Sequence, residues 1–289
     1  MPVWIDVLVS FGGRPLSSTT MTGFCSRYAL AAVVAAIAGC NAQVGGETGT
    51  REQAPEAALT AKRELQQRPA LTYSEAVVIE PNDAYAESCS GVLIAPRVVA
   101  TAAHCMVFVP SKTWRVTAPF ALGGPETHTA GDGEPMDAAF RNVTQADYTL
   151  KELSDVALLY LDAPFKNVKV AMFAPSKLSV EKTSPPVFVA AIGRSTAGAE
   201  AGLTLSMPVM LDAAASPRTG IEYTTERLTA QGDSGGPLFL EGTHQLVGVH
   251  AHTDTNGKTE AWTRLDGDVY TWITQKVASH GGWKIEDAD

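Results

Sequence analysis

Ser234 stands between an aspartate and two glycines in the stretch AQGDSGGPLF, residues 230 to 239, directly ahead of an apolar run. A serine hydroxyl is a poor nucleophile until a base takes its proton. A neutral histidine can serve as that base near neutral pH, and a carboxylate can orient the ring and stabilise the imidazolium that forms. The chain offers both. His104 closes the stretch CSGVLIAPRVVATAAHC (89–105), and Asp155 opens DVALLYL (155–161). A carboxylate at the head of so apolar a segment is expected to be partly buried and to need a partner. The oxyanion that develops on an attacked carbonyl needs N–H groups aimed at it. Gly232 has no side chain to block close approach, so its N–H and that of Ser234 are the candidate donors. Gly235 and Gly236 let the chain leave a tight turn for a buried strand. Each residue alone is commonplace: a buried histidine is usually structural, and an aspartate before a strand is usually a turn. The three together, in the order His, Asp, Ser, are specific.

The elements that must position them are mostly strands. EAVVIE (75–80), SGVLI (90–94), RVVAT (97–101), DVALLYL (155–161), PVFVAAI (186–192), LTLSMPVML (203–211), GPLFL (236–240) and HQLVGVH (244–250) are apolar runs of strand length, most of them separated by turn residues. One helix is expected near the end, with Val269, Trp272, Ile273 and Val277 on one face after an Asp266-Gly267-Asp268 start. No internal repeat is visible. Cys25, Cys40, Cys89 and Cys105 are not arranged in C-x-x-C pairs, so zinc is not expected. Cys25 and Cys40 fall in a targeting-like segment, which leaves Cys89 and Cys105 as a candidate disulfide that would staple two strands and fix the loop bearing His104.

TAAHC, DVALL and GDSGGP resemble the three signature motifs of the chymotrypsin-like (trypsin-family) serine proteases. The resemblance covers roughly residues 72–279 and extends to WTRLDGDVYTWI, which is similar to the family's closing strand and helix. It implies an all-β fold of two six-stranded antiparallel barrels with a C-terminal α-helix and the site in the cleft between barrels. It implies His104 as general base, Asp155 as its orienter, Ser234 as nucleophile, and Gly232 and Ser234 as the oxyanion hole. The reaction would need no cofactor or metal, and the partner would be a protein or peptide substrate met by a monomer. The rival is a protease-like fold that binds without cutting, or a latent precursor.

Two departures stand out. Many members are cut before Ile-Val-Gly-Gly, and the new amino group pairs with the aspartate before the nucleophile, here Asp233. No such word occurs at the corresponding distance before Cys89; Gln43-Val44-Gly45-Gly46-Glu47 lies far upstream. Ala230 also stands where relatives carry a cysteine, so the pocket wall is not cross-linked. Residues just before the nucleophile line the first specificity pocket in this family. Leu228 occupies the position of the aspartate that gives trypsin-like preference for Lys and Arg, so that preference is not expected. Thr229 beside His250 is similar to the glutamate-specific branch, since both can donate to a substrate carboxylate. The alternative is a pocket for apolar or small side chains with His250 a satisfied strand residue, and the reading weakens if His252 faces the pocket instead.

Hydrophobic residues make up 45% of the 289-residue chain and 18% are charged, an ordinary globular composition. The net charge of -9 disfavours nucleic-acid binding, which needs cations to neutralise phosphates. Arg27 precedes an apolar run, Ala29 to Ala38, laid out like a secretory signal. The run is shorter than the ~20 residues a spanning helix needs. Its end, Ile37-Ala38-Gly39-Cys40, resembles the lipobox of bacterial lipoproteins, which implies a lipid on Cys40 and a membrane-anchored, exported protein; a plain signal peptide and secretion are the alternative. Residues 1–40 are thus a signal region, with Met21 a candidate true start. Residues 41–70 read as a flexible tether or propeptide, and 71–289 as the folded domain. GDGEPMD (131–137) gathers Asp132, Glu134 and Asp137; some family members bind calcium in a loop after the histidine, but the stretch is read as a solvated loop with no metal. His128, His244 and His280 lie in polar contexts and are expected to be exposed.

Overall fold

The computed structural model describes residues 68–82, 87–108, 113–142, 144, 153–174, 186–194, 202–211, 221–253, 260–281 and 284. The signal-like segment, the lipobox with Cys40 and nearly all of the tether lie outside them. Among the described residues no helix is long and apolar enough to cross a membrane.

Strand β1 (Arg68–Pro69) comes first, followed by β2 (Ala76–Pro81), β3 (Cys89–Ala95) and β4 (Val98–Thr101). A one-turn helix α1 (Ala103–Val107) leads to β5 (Trp114–Ala118), β6 (Glu126–Pro135) and, after a short 3-10 turn, β7 (Ala157–Leu161). These strands close an antiparallel barrel in the order β2-β3-β4-β7-β6-β5. The second half holds β8 (Met172–Phe173), β9 (Phe188–Gly193), β10 (Thr204–Leu205), β11 (Val209–Met210), β12 (Ile221–Tyr223), β13 (Pro237–Leu240), β14 (Gln245–Thr253) and β15 (Glu260–Arg264). It ends in helix α2 (Gly267–Ser279), which buries Val269, Ile273 and Val277.

The second sheet runs β1-β10-β9-β13-β14-β15-β12, with β11 also on β9. A single bridge, Leu211 to Thr224, joins the β11 edge to the β12 edge. Among the described residues, the second ring of six is closed by that bridge and by Thr225 N–H donating to Met210 O at 3.1 Å, where the first is closed by full ladders. Three large apolar clusters and a small fourth one around Ala103, Phe140 and Ala157 lie among the described residues. Val77, Leu93, Val99, Val116 and Leu159 pack inside the first barrel. Val189, Leu211, Leu238 and Trp262 pack inside the second. Val92, Leu158, Ile192, Phe239, Val249 and Ile273 belong to the cluster between barrels and under α2. Because β3 and β4 are apolar on both faces, one face serves a barrel interior and the other serves the interface.

Several expectations change. The run 203–211 is two short strands, β10 and β11, interrupted at Ser206-Met207-Pro208. GDGEPMD is not a loop: most of it is the end of β6, paired with β7 from Asp132 to Pro135. Its carboxylates serve separate partners. Asp132 accepts from Gly133 N–H, while Glu134 accepts from Tyr160 Oη at 2.8 Å and Lys276 Nζ at 2.6 Å, tying α2 to the first barrel. Arg68 and Pro69, read as tether, already pair with Leu205 and Thr204, and Ala70 is buried. His128 bonds Glu126 and sits edge-on to Phe165, His244 bonds the buried Glu75, and His280 stacks on Tyr160 at 3.6 Å. Cys89 and Cys105 form the expected disulfide, with Cα atoms 6.3 Å apart.

The two barrels meet tightly where residues 232–236 lie against β3 and β4. A Cβ on Gly235 would lie 2.1 Å from Thr101 Oγ1, 2.6 Å from Ser90 O and 2.7 Å from Ala102 N, and Gly235 has φ +76°. Gly242 has a similar φ of +69° but nothing within 4 Å of its Cβ position. Gly235→Ala is therefore expected to destabilise by about 3 kcal/mol or more, from left-handed strain plus overpacking. Gly242→Ala should cost only the strain, about 1 kcal/mol. Urea midpoints of the two variants check the contrast.

Candidate active site

His104 is the second residue of α1, two residues past the extended Ala102 that leads off β4. The disulfide ties the residue next to it to the start of β3, so the imidazole is carried on a stapled corner. Asp155 lies in the extended segment before β7 and is buried. Its carboxylate accepts twice from one residue: the His104 backbone N–H reaches Oδ1 at 3.0 Å, and His104 Nδ1 reaches Oδ2 at 2.8 Å. A carboxylate has no proton to give, so Nδ1 carries the hydrogen and the lone pair of the neutral ring sits on Nε2. From the second barrel, Thr263 Oγ1 donates to the Asp155 carbonyl at 3.1 Å and fixes that backbone too.

Ser234 reaches the same corner. Its carbonyl oxygen accepts from Ser90 N–H at 2.8 Å and lies 3.7 Å from Cys105 Sγ, which is itself 3.7 Å from His104 Nε2. Residues 230–236 form a compact turn. Asp233 N–H donates to Ala230 O, Gly236 N–H to Asp233 O and Gly235 N–H to His250 O. Asp233 is buried, and its Oδ2 accepts from Ala230 N–H at 2.7 Å. Gly232 has φ +94°, the left-handed region that favours glycine. Among the described residues, neither Gly232 N–H nor Ser234 N–H is given to a backbone carbonyl. Both donors predicted for an oxyanion are therefore on the same turn.

Cys89, His104 and Cys105 also converge within 4.8 Å. Both sulfurs are bound to each other, so they offer no thiolate to a metal.

The pocket residues are brought together, with one addition the sequence reading missed. His250 Nε2 lies 3.0 Å from Thr229 Oγ1, so His250 is beside Thr229. A bulge separates it from His252, which pairs instead with Ala261. The addition is Glu260, the first residue of β15, which is fully buried. Its Oε1 accepts from Thr229 N–H at 2.6 Å and from the Thr229 hydroxyl. A hydroxyl has one proton. With that proton given to Glu260, Thr229 Oγ1 accepts from His250 Nε2–H. The expected donors to a substrate carboxylate thus run inward, from His250 through Thr229 to Glu260. Leu228 joins the apolar interior of the second barrel. Nothing in the immediate sequence around Glu260 marks it, because its partner lies 31 residues away.

Known proteins agree with this architecture. Melanization protease 1 of Drosophila melanogaster is 25% identical, matched over 75% of this chain and 64% of that protein, so the chain spans less than two thirds of that relative's length. Human heparin binding protein superposes with a TM-score of 0.57 at 19% identity, covering 75% of this chain and 98% of that one. The Vibrio cholerae VesB protease gives 0.57 at 18%, covering 73% and 67%. A Glu endopeptidase gives 0.55 at 16%, covering 74% and 97%. These structural likenesses speak for a shared fold. The family model described as Trypsin matches residues 66–274, a span that holds His104, Asp155 and Ser234 in that order, and the chain belongs to the trypsin family.

Proposed function

We propose that this protein is a serine endopeptidase. The observation that carries the reading is the paired acceptance of Asp155 from His104, beside a turn that presents Ser234. In this reading Ser234 Oγ attacks the substrate carbonyl while His104 Nε2 takes its proton. Asp155 holds the tautomer that leaves Nε2 basic and stabilises the imidazolium, without itself taking the proton. The N–H groups of Gly232 and Ser234 bind the oxyanion. His104 then gives its proton to the leaving amine, and water repeats the sequence on the acyl-enzyme.

The side chain preceding the cut is proposed to be uncharged, apolar or small. Leu228 in place of an acid supports this, as does the engagement of Thr229 by Glu260 and of His250 by Thr229. A substrate carboxylate would meet a buried carboxylate whose donors are already engaged, so the acidic preference read from the sequence is not carried forward. Export, with the domain held to a membrane through lipid on Cys40, is supported by the signal-like segment. The Cys89–Cys105 bond also fits an oxidising compartment.

The test is a mixed peptide library read by mass spectrometry, with a fluorophosphonate label in parallel. Wild type should cut and take the label, and Ser234→Ala should do neither while keeping its melting temperature. Cutting by Ser234→Ala at the wild-type rate would overturn the assignment. An unlabelled, uncut wild type would leave a binding domain of protease form. In the same library, Glu260→Gln is expected to raise cleavage after Glu relative to apolar residues by about tenfold or more, since a like charge is removed. An unchanged profile would dissociate Glu260 from selectivity.

A further inference from the structure

Ser90 is fully buried in β3, and its polar atoms are directed at the nucleophile turn. Its hydroxyl donates to Gly232 O at 3.0 Å and accepts from Arg194 N–H at 3.1 Å. Its N–H donates to Ser234 O at 2.8 Å, and its carbonyl accepts from Thr101 Oγ1 at 2.8 Å. One residue of the first barrel therefore grips both oxyanion-turn residues, Gly232 and Ser234, by their carbonyl oxygens, 142 residues away in the chain for the hydroxyl bond.

The grip matters because of what it holds. Gly232 is at φ +94°, and glycine is the residue least able to hold its own backbone angles. Electrostatic stabilisation of an oxyanion depends on donors already aimed before the charge appears. The Ser234 N–H is fixed within the turn, since the carbonyl of its own peptide, Asp233 O, accepts from Gly236 N–H. The Gly232 N–H belongs to the Gln231–Gly232 peptide, and the Ser90 hydroxyl holds the next peptide through the Gly232 carbonyl, restraining that N–H across the Gly232 Cα. The neighbouring strand end is clamped by the same oxygen through Arg194 N–H, and the space is closed: a Cβ on Gly193 would lie 2.6 Å from Asp233. We infer that Ser90 is a positioning residue for the reaction, its hydroxyl preorganising the Gly232 N–H for the oxyanion. The inference rests on the endopeptidase reading given above. Ser90 touches no substrate; it acts through Gly232.

The test compares full-length wild type, Ser90→Ala, Ser90→Thr and Ser234→Ala on one peptide taken from the library. A peptide boronate, which places a tetrahedral oxygen in the oxyanion hole, serves as the transition-state probe. The cleaved product peptide serves as the ground-state probe. Losing an oxyanion donor outright lowers turnover about 10²- to 10³-fold, so loosening one that remains should lower kcat about ten- to a hundredfold. For Ser90→Ala we expect that fall in kcat, KM within about twofold, boronate affinity reduced by the factor seen in kcat, and product affinity unchanged. Ser90→Thr keeps the hydroxyl and should recover most of kcat. A folded Ser90→Ala with wild-type kcat and boronate affinity overturns the inference. So does a loss shared equally by product binding, or a folded Ser90→Thr as slow as the alanine variant. Should Ser90→Ala not fold, Ser90→Gly, which also removes the hydroxyl, takes its place under the same criteria. A wild type with no Ser234-dependent turnover overturns the endopeptidase reading itself, and is told apart by the missing fluorophosphonate label.

Discussion

The approach of the 232–236 turn to the backbone of β3 and β4 governs the rest of the architecture. At this point a peptide turn of the second barrel lies against Ser90, Thr101 and Ala102 of the first, at distances that leave no room for a Cβ on Gly235. A Cβ on Gly236 would lie 2.2 Å from Ile192 O, so the turn is closed in from its own barrel as well. The consecutive glycines are thus a condition for the two barrels to meet at all. The same contact fixes where Ser234 can be, because its carbonyl is bonded to Ser90 N–H on the strand that leads, through β4, to His104. The disulfide then secures the far end of that path, joining the first residue of β3 to the residue after His104.

Buried charge imposes the second constraint. Asp155, Asp233 and Glu260 are all buried around the site, and an ionised carboxylate taken from water must recover its hydrogen bonds inside. Asp155 takes two donors from His104, Asp233 takes Ala230 N–H, and Glu260 takes two from Thr229. Each acid therefore shapes the backbone or side chain that supplies its donors. For Asp155 the result is the orientation of an imidazole. For Asp233 it is the tightness of the nucleophile turn. For Glu260 it is the placement of the Thr229 backbone and hydroxyl.

How much of this was legible in the sequence depends on where each signal lies. Apolar runs such as those of β3, β4, β7 and β13 announce themselves, because strands buried on both faces need no alternation to be recognised. β5 and β6 do not. β5 reads Trp-Arg-Val-Thr-Ala and β6 reads Glu-Thr-His-Thr-Ala-Gly-Asp-Gly-Glu-Pro, with few apolar residues between them. They are strands because the barrel must close through them, and that constraint is tertiary. Among the site residues, His104, Asp155 and Ser234 were readable because each sits in a short word of small and apolar neighbours. Ser90 and Glu260 were not. Ser90 is a lone polar residue in an apolar strand and Glu260 opens a short mixed one, and the meaning of each comes from a partner far along the chain.

That asymmetry has a physical origin. Chemistry at Ser234 is set by residue type and is therefore written locally. The direction of an N–H at a soft glycine, or of a threonine hydroxyl beside a histidine, is set by whatever accepts or donates on the other side. In this molecule the first barrel supplies His104, Asp155 and the hydroxyl that holds Gly232, while the second supplies the turn bearing Ser234 and the Thr229–His250 pair. The site thus exists only at the register between two separately closed sheets, one of which closes, among the described residues, through the Leu211–Thr224 bridge and the Thr225-to-Met210 backbone bond. The hydrogen bonds that cross the cleft are therefore as much a part of the active site as the side chains that face it. Ser90 to Gly232 and Ser234, and Thr263 to Asp155, are the bonds that convert two barrels into one reaction geometry.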